Sequence, residues 1–203
     1  MSTDHRERLH ADALAVLRAW DPPSAAQSAL RDRYVAHLLT HPDALTRECR
    51  PDHLTASTVV LSADRSQVLL TLHAKAQRWF QLGGHCEPGD ATLAGAALRE
   101  ATEESGIDGL RLVPVPVHLD EHEVPFCGPA AGVHHLDVRF LAVAPAGVAH
   151  HTSEESLDVR WWPVEHLPDP ELADLVAHAL AQSTSEELPA GDSTWAAADQ
   201  PSR

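Results

Sequence analysis

The apolar positions of this 203-residue chain change period several times, and each change marks an element. Near the start Leu9, Ala13, Val16, Leu17 and Trp20 recur at helical spacing. Pro22-Pro23 breaks the pattern, and Leu30, Tyr34, Leu38 and Leu39 resume it behind a Ser24 cap, which predicts two helices between Asp4 and Thr40. The period then shortens. Thr55 to Leu61 and Gln67 to His73 are β-branched or aliphatic runs on either side of the turn Ser62-Ala63-Asp64-Arg65-Ser66, a predicted hairpin, and Trp79-Phe80-Gln81-Leu82 leads straight into Gly83. A helical stretch follows, with Leu93, Ala96, Ala97 and Leu98 on its apolar side. Leu110 to Leu119, His135 to Ala144 and Leu157 to Trp162 have strand composition. Pro114 and Pro116 confine the first of these to an edge or a bulge, because proline cannot donate to a ladder. A helix over Asp169 to Gln182 closes the order, with Leu172, Leu175, Val176, Ala179 and Leu180 inward. Strands, helix, strands, helix predict an α/β fold, a sheet sandwiched between helices. Beyond Ser183 the period is lost, and the small, polar stretch ending the chain reads as a flexible tail with Trp195 as its one aromatic residue.

Composition narrows the partners. Lys plus Arg total 15 against 30 Asp plus Glu, a formal charge of -15, which argues against nucleic-acid backbone or an anionic membrane. Cys49, Cys86 and Cys127 show no paired spacing, so neither a disulfide framework nor a structural zinc site is expected. No apolar run approaches the ~20 residues of a membrane span, and the start lacks a signal-peptide core, so a cytoplasmic location is expected. The N-terminal helices carry no evident chemistry and are expected to pack on the domain or to build a homodimer contact.

The chemistry concentrates between Gly83 and Ile107, GGHCEPGDATLAGAALREATEESGI. On a helix Glu100, Glu103 and Glu104 stand at i, i+3 and i+4, so their carboxylates share one face. Such crowding costs roughly a few tenths of a kcal/mol per pair unless a cation or Arg sits among them. Three hard oxygen ligands on a rigid element suit Mg2+ or Mn2+. Arg99 precedes Glu103 by four residues and can pair with it, orienting one carboxylate. Asp90, after the turn residues Pro88-Gly89, is placed to cap the helix, and Gly106 fits its left-handed stop. A run of acids is most often a solvated face; the double glycine upstream and the Gly-Ile ending tell against that here.

These residues resemble the signature of the Nudix hydrolases, Gx5Ex7REUxEExGU with U aliphatic. Arg99-Glu100 supply RE, Ala101 the first U, Glu103-Glu104 EE, Gly106 the glycine and Ile107 the last U. Upstream, Asp90 stands where the family has Glu, and eight residues rather than seven separate it from Arg99. The resemblance implies a Nudix-like α/β/α sandwich with a mixed β-sheet, here divided into an N-terminal helical extension (1–45), the hydrolase domain (46–182) and a C-terminal tail (183–203). It further implies metal-assisted hydrolysis of a small-molecule diphosphate, a nucleoside diphosphate linked to another moiety. Glu100, Glu103 and Glu104, with a backbone carbonyl of Gly83 or Gly84, would hold Mg2+ or Mn2+, and Arg99 would orient the glutamates. The general base would be a helix glutamate or one from the late loop, Glu154 or Glu155. Two other readings share the fold. A ligand sensor without hydrolysis is disfavoured by the retained glutamates and Arg99, and an isoprenoid diphosphate isomerase by a Cys86 that lies in no motif of that group.

Fifteen histidines are unusual. His134 and His135, neighbours on a strand, point to opposite faces and are not expected to share an ion, whereas His135, Asp137 and Arg139 face one side and are candidates to line a substrate pocket. Within the glycine segment His85 is expected to touch phosphate or water rather than ligate metal. Cys86 has no basic neighbour to lower its pKa and is not expected to act as a nucleophile.

Overall fold

Helices and strands follow one another in the computed structural model, which describes residues 3–125, 127, 132–152 and 156–185, in the order α1 (Thr3–Ala19), α2 (Ala25–Thr40), β1 (Asp52–Leu61), β2 (Gln67–His73), β3 (Trp79–Phe80), β4 (Leu82–His85), α3 (Leu93–Ser105), β5 (Arg111–Glu123), β6 (His134–Val143), β7 (Ser156–Pro163) and α4 (Ala173–Ser185). A short 3-10 turn, Pro170–Leu172, leads into α4 behind the cap Asp169. The sheet is mixed: β1 runs antiparallel to β2 and β4 and parallel to β6, β6 is antiparallel to β5, and β7 lies antiparallel on β2. None of the helices among the described residues is long and apolar enough to cross a membrane.

Alternation along β1 and β6 builds two apolar layers. Leu54 and Ala56 of β1 with Leu136, Val138 and Phe140 of β6 pack against Leu93, Ala96 and Ala97 of α3 and against α1 and α2. Val59, Leu61 and Leu141 pack instead against Leu175, Val176 and Ala179 of α4. Alanine on the inner side of α3 allows a close approach, and Thr58 Oγ1 donates to the Ala97 carbonyl at 2.9 Å. This is the helix, sheet, helix sandwich that the element order predicts.

The N-terminal helices pack on this chain's own sheet and helix α3. Ser24 caps α2 by accepting from Gln27 N–H, as its position predicts. Strand β5 is an edge of the sheet, and its ladder to β6 shifts register around Pro116, so the prolines sit at both an edge and a bulge. Edge groups left over by that arrangement are satisfied from α2. The Gln27 amide accepts from Leu119 N–H at 2.6 Å and donates to the Leu119 carbonyl at 2.9 Å, and buried Tyr34 donates to the Asp120 carbonyl at 2.6 Å. A side-chain amide thus stands in for the missing neighbouring strand.

One local expectation is corrected. Asp90 does not cap α3. Thr92 does, accepting from Gly95 N–H at 3.0 Å, and Asp12 of α1 accepts from Leu93 N–H at 2.7 Å. Asp90 is instead engaged by Glu87 N–H at 2.7 Å and by Arg99. The segment after Trp79 does lead into the glycines, as read along the chain, but not as one unbroken strand. It breaks at Gln81 and resumes through the glycines as β4, pairing Leu82 to His85 with Thr58 to Thr55.

Candidate active site

Helix α3 presents its acidic face to β4, and Arg99 organises it. The guanidinium donates from Nε and Nη2 to the two oxygens of Asp90 at 3.1 and 3.0 Å, from Nη2 to the His85 carbonyl at 3.0 Å, and from Nη1 to Glu100 at 3.1 Å and Glu103 at 3.0 Å. The repulsion expected of clustered glutamates is thereby offset by one cation in a fork geometry that no lysine could copy. Glu104 reaches the other way and accepts from Gly83 N–H at 2.9 Å. Glu100 lies over Gly84, where an added Cβ would come within 2.9 Å of its carboxyl atoms. Burial raises the Glu100 pKa, with Arg99 opposing the shift. Glu103 projects outward, its side chain 60% exposed against 17% for Glu100. At the far end Gly106 terminates the helix at φ 65, the left-handed stop read from the sequence.

Opposite α3, the polar residues of β1, β5 and β6 form a second array. The parallel register sets His53 beside His135, Thr55 beside Asp137 and Ser57 beside Arg139, while Asp120 of β5 pairs with Asp137. Asp137 is buried and accepts from Thr55 Oγ1 at 3.0 Å, Ser57 Oγ at 2.7 Å, Gln81 Nε2 at 3.1 Å and Arg139 Nε at 3.0 Å. Arg139 reaches on to Asp120 at 2.8 Å. Burial works against ionising Asp120, but the hydrogen bond from His122 and the charge of Arg139 outweigh it and hold its carboxyl at about 2. His135, Asp137 and Arg139 do share one side, as strand alternation predicts, and the guanidinium of Arg139 is committed to two carboxylates there.

The histidines of this array gather at one end. His53, His85 and His135 pack ring to ring, with centroids 4.7 to 5.1 Å apart, and Cys127 joins them. Burial, reinforced by neighbouring imidazoles, depresses both His85 and His135 to about 3, and burial lowers His53 as well. His134 points away, to Asp52, at 3.1 Å. His53 is not among the residues that local sequence patterns single out. Its signal was the polar alternation His53, Thr55, Ser57 in β1, which matches His135, Asp137, Arg139 in β6 once the two strands are known to be neighbours.

Cys86 follows β4, where burial pushes its thiol up to about 12, so it offers no thiolate nucleophile. A cavity of about 420 Å³ opens beside it, lined by Arg6, Arg47, His85, Glu87 and Asp90 among others. Glu154 and Glu155, the late-loop candidates for general base, lie outside the described residues, as do Trp195 and the rest of the expected tail beyond residue 185; its first residues, 183–185, belong instead to the last turn of α4.

Fold and signature helix together define a class, and the comparisons agree. The family model for the NUDIX domain matches residues 51–182. The chain therefore belongs to the NUDIX domain family, and hydrolase activity on phosphorus anhydrides comes with that membership. Among solved structures it is similar to a NUDIX-family hydrolase from Clostridium perfringens, 25% identical over 66% of this chain and 98% of that one, with a TM-score of 0.51. A Caenorhabditis elegans Ap4A hydrolase in a binary complex is 19% identical over the same shares, with a TM-score of 0.50, a likeness of fold alone. No curated protein sequence matches the chain.

Proposed function

We propose that the protein is a divalent-metal-dependent hydrolase that cleaves the diphosphate linkage of a nucleoside diphosphate joined to another moiety, acting on a small molecule in the cytoplasm. The observation that carries this reading is the arrangement of α3, in which Arg99 holds Glu100 and Glu103 while Glu104 is fixed on Gly83. Carboxylates arranged only for solubility would need no such anchoring.

The donor set fits Mg2+ or Mn2+. Three carboxylates on one rigid helix offer oxygen ligands of the kind both ions take, and the missing side chain at Gly84 leaves the cradle in which Glu100 lies. Glu100, Glu103 and Glu104 would hold the ion together with a backbone carbonyl of Gly83 or Gly84. When bound, it would neutralise diphosphate oxygens and make a water molecule more acidic.

The chain's own residues supply the remainder. Arg99 fixes the glutamates in one orientation, so little reorganisation is left for the reaction itself. Glu103, Glu104 or a late-loop glutamate, Glu154 or Glu155, accepts the proton of the attacking water. Arg6 and Arg47 line the cavity next to the glycine strand and give a strongly acidic chain a local welcome for an anion. Gly83, Gly84 and His85 belong to that strand, and His85 itself lines the cavity. Contact of Arg139 with substrate would require it to leave Asp137 or Asp120.

The test is a turnover screen of ADP-ribose, a dinucleoside polyphosphate, sugar nucleotides, a coenzyme and an oxidised nucleotide with Mg2+ and Mn2+. Metal-dependent release of a monophosphate product, lost in Glu104→Gln, is expected. Tight binding of one of these compounds without turnover would show a ligand sensor instead.

A further inference from the structure

The hydrolytic reading has no role for His53, Cys127 or His135, and the fourth member of their cluster, His85, is expected from the sequence to touch phosphate or water rather than a metal. We propose that these four residues form a tetrahedral site for a divalent transition-metal ion, Zn2+ by the character of its donors, which pins Cys127 and strand β4 to the central strands. One ligand atom from each residue lies within 4.8 Å of all the others. His53 Nε2 and His85 Nε2 are 3.1 Å apart, and Cys127 Sγ stands 3.7 Å from the first and 3.5 Å from the second. Zinc held at about 2.0–2.1 Å from imidazole nitrogen and about 2.3 Å from thiolate, at tetrahedral angles, sets nitrogens ~3.4 Å apart and nitrogen and sulfur ~3.6 Å apart. Three edges of the tetrahedron are therefore close to their final lengths.

Hydrogen bonding alone accounts for this group poorly. A carbonyl oxygen can only accept, so the 3.3 Å contact of His53 Nδ1 with the Cys49 carbonyl places the hydrogen on Nδ1 and turns the Nε2 lone pair toward His85. Orientation of a ligating imidazole by a backbone carbonyl on its other nitrogen is the usual support for a metal ligand. His135 Nε2 is buried and has no hydrogen-bond partner among the described residues. No carboxylate among those residues is hydrogen-bonded to any of the three rings. Cys127 is itself anchored, its carbonyl accepting from Arg50 Nη1 at 2.6 Å.

Three imidazoles and a thiol select against Mg2+ and Ca2+, which want oxygen, and four protein ligands leave no open position for a reacting water. The ion would be structural. It would also steady the active site from behind. While the His85 imidazole joins this cluster, its carbonyl accepts from Arg99, and the preceding Gly84 receives Glu100. Sequence spacing concealed the set, because successive ligands are separated by 32 residues from His53 to His85 and 42 from His85 to Cys127. The expectation that no structural zinc site exists rested on paired cysteines, which this geometry does not need.

Co2+ titration of the reduced, metal-stripped full-length protein tests the proposal. One equivalent should give the visible bands of a tetrahedral ion together with a thiolate-to-cobalt charge-transfer band, both bleached by Zn2+. Both should persist in Glu103→Gln/Glu104→Gln, whose defect concerns the carboxylate face alone, and in Cys86→Ser. Cys127→Ser should lose the charge-transfer band, and His135→Gln should weaken Co2+ binding at least tenfold. A wild-type spectrum without a thiolate band, which needs no variant to interpret, would overturn the site. So would a band undiminished in Cys127→Ser.

Discussion

Arg99 grips Asp90 through two parallel hydrogen bonds, Nε at 3.1 Å and Nη2 at 3.0 Å. The acid that stands out of register with the Nudix signature is thus joined to the arginine that stands within it. Asp90 is buried, its backbone held by Glu87, and its carboxylate accepts from Glu87 N–H as well. The shorter side chain and the extra residue before Arg99 belong to one local geometry, which keeps a carboxylate at the guanidinium.

Asp90→Ala should therefore free Arg99 and loosen the glutamates it orients. Hydrogen bonds to charged groups contribute about 1.5–3 kcal/mol, so turnover should fall by roughly ten- to a hundredfold. Asp90→Asn, which keeps one acceptor, should fall less. Steady-state kinetics on the substrate found in the screen would check the order, and equal rates in wild type and Asp90→Ala would detach this pair from catalysis.

Glu103→Gln and Glu104→Gln should each leave the fold intact and lower metal-dependent turnover by orders of magnitude. Glutamine at 104 keeps an amide oxygen to accept from Gly83 N–H, so the thermal midpoint should move little. Wild-type rates in both variants would refute the metal assignment. Glu154→Gln and Glu155→Gln belong in the same assay, since unaltered rates in both would confine the general base to α3.

Gly106→Ala should destabilise the protein. A left-handed backbone costs a non-glycine residue roughly 1–2 kcal/mol, and here an added Cβ would fall 1.6 Å from Cε1 of the His151 ring, which would have to move. For a chain of this size the thermal midpoint should drop by about 2–4 °C per kcal/mol. In Gly106→Ala/His151→Ala the steric part should be relieved and the backbone part should remain. A double variant no more stable than Gly106→Ala would show that the ring yields freely.

Part of the acid sensitivity should be traceable to His118, alongside His85 and His135, whose deeper depression acts in the same direction. Burial, and after it the charge of Arg139, depress the His118 pKa to about 4, with Asp120 and Asp137 opposing and His178 of α4 adding to the depression. Gln27 Nε2 contacts its Nε2 at 3.2 Å, an arrangement suited to a neutral ring. Between about 4 and the ordinary histidine value near 6.5 the unfolded chain binds a proton that the folded chain does not. The contribution is fully present above the ordinary value and is lost as pH falls through the folded one. Thermal midpoints measured from neutral pH down to the folded value should decline, and His118→Gln should flatten that decline. An unchanged slope would assign the acid response elsewhere.

Removing the edge support from α2 should loosen the N-terminal helices. Gln27→Leu leaves both backbone groups of Leu119 without their partner, at about 1–3 kcal/mol for an unsatisfied buried group. Hydrogen exchange should then rise at Leu119 N–H more than in β1. Unchanged protection at Leu119 would mean that another group satisfies that edge.

Much of this molecule could be read along the chain. Helix α3 carries its acids, its Arg99–Glu103 pair and its Gly106 stop within a few turns, so the spacing of side chains on one element fixed which groups would meet. Strand and helix order followed from periodicity for the same reason. Neighbours that come from far apart were not legible. Strand β1 lies parallel to β6 across 82 residues, and that register, which no local pattern encodes, brought His53 to His135 and Thr55 to Asp137. Capping showed the same limit at shorter range. Asp90 had the right chemistry for the helix end, but Thr92 stood closer and Asp12 arrived from α1, leaving Asp90 to Arg99. The sequence by itself determined the fold class and the acidic face because both depend on repeats within single elements. Tertiary structure decided the buried polar array and the histidine–cysteine cluster, since their geometry depends on how strands pair and which distant side chain reaches a backbone group first.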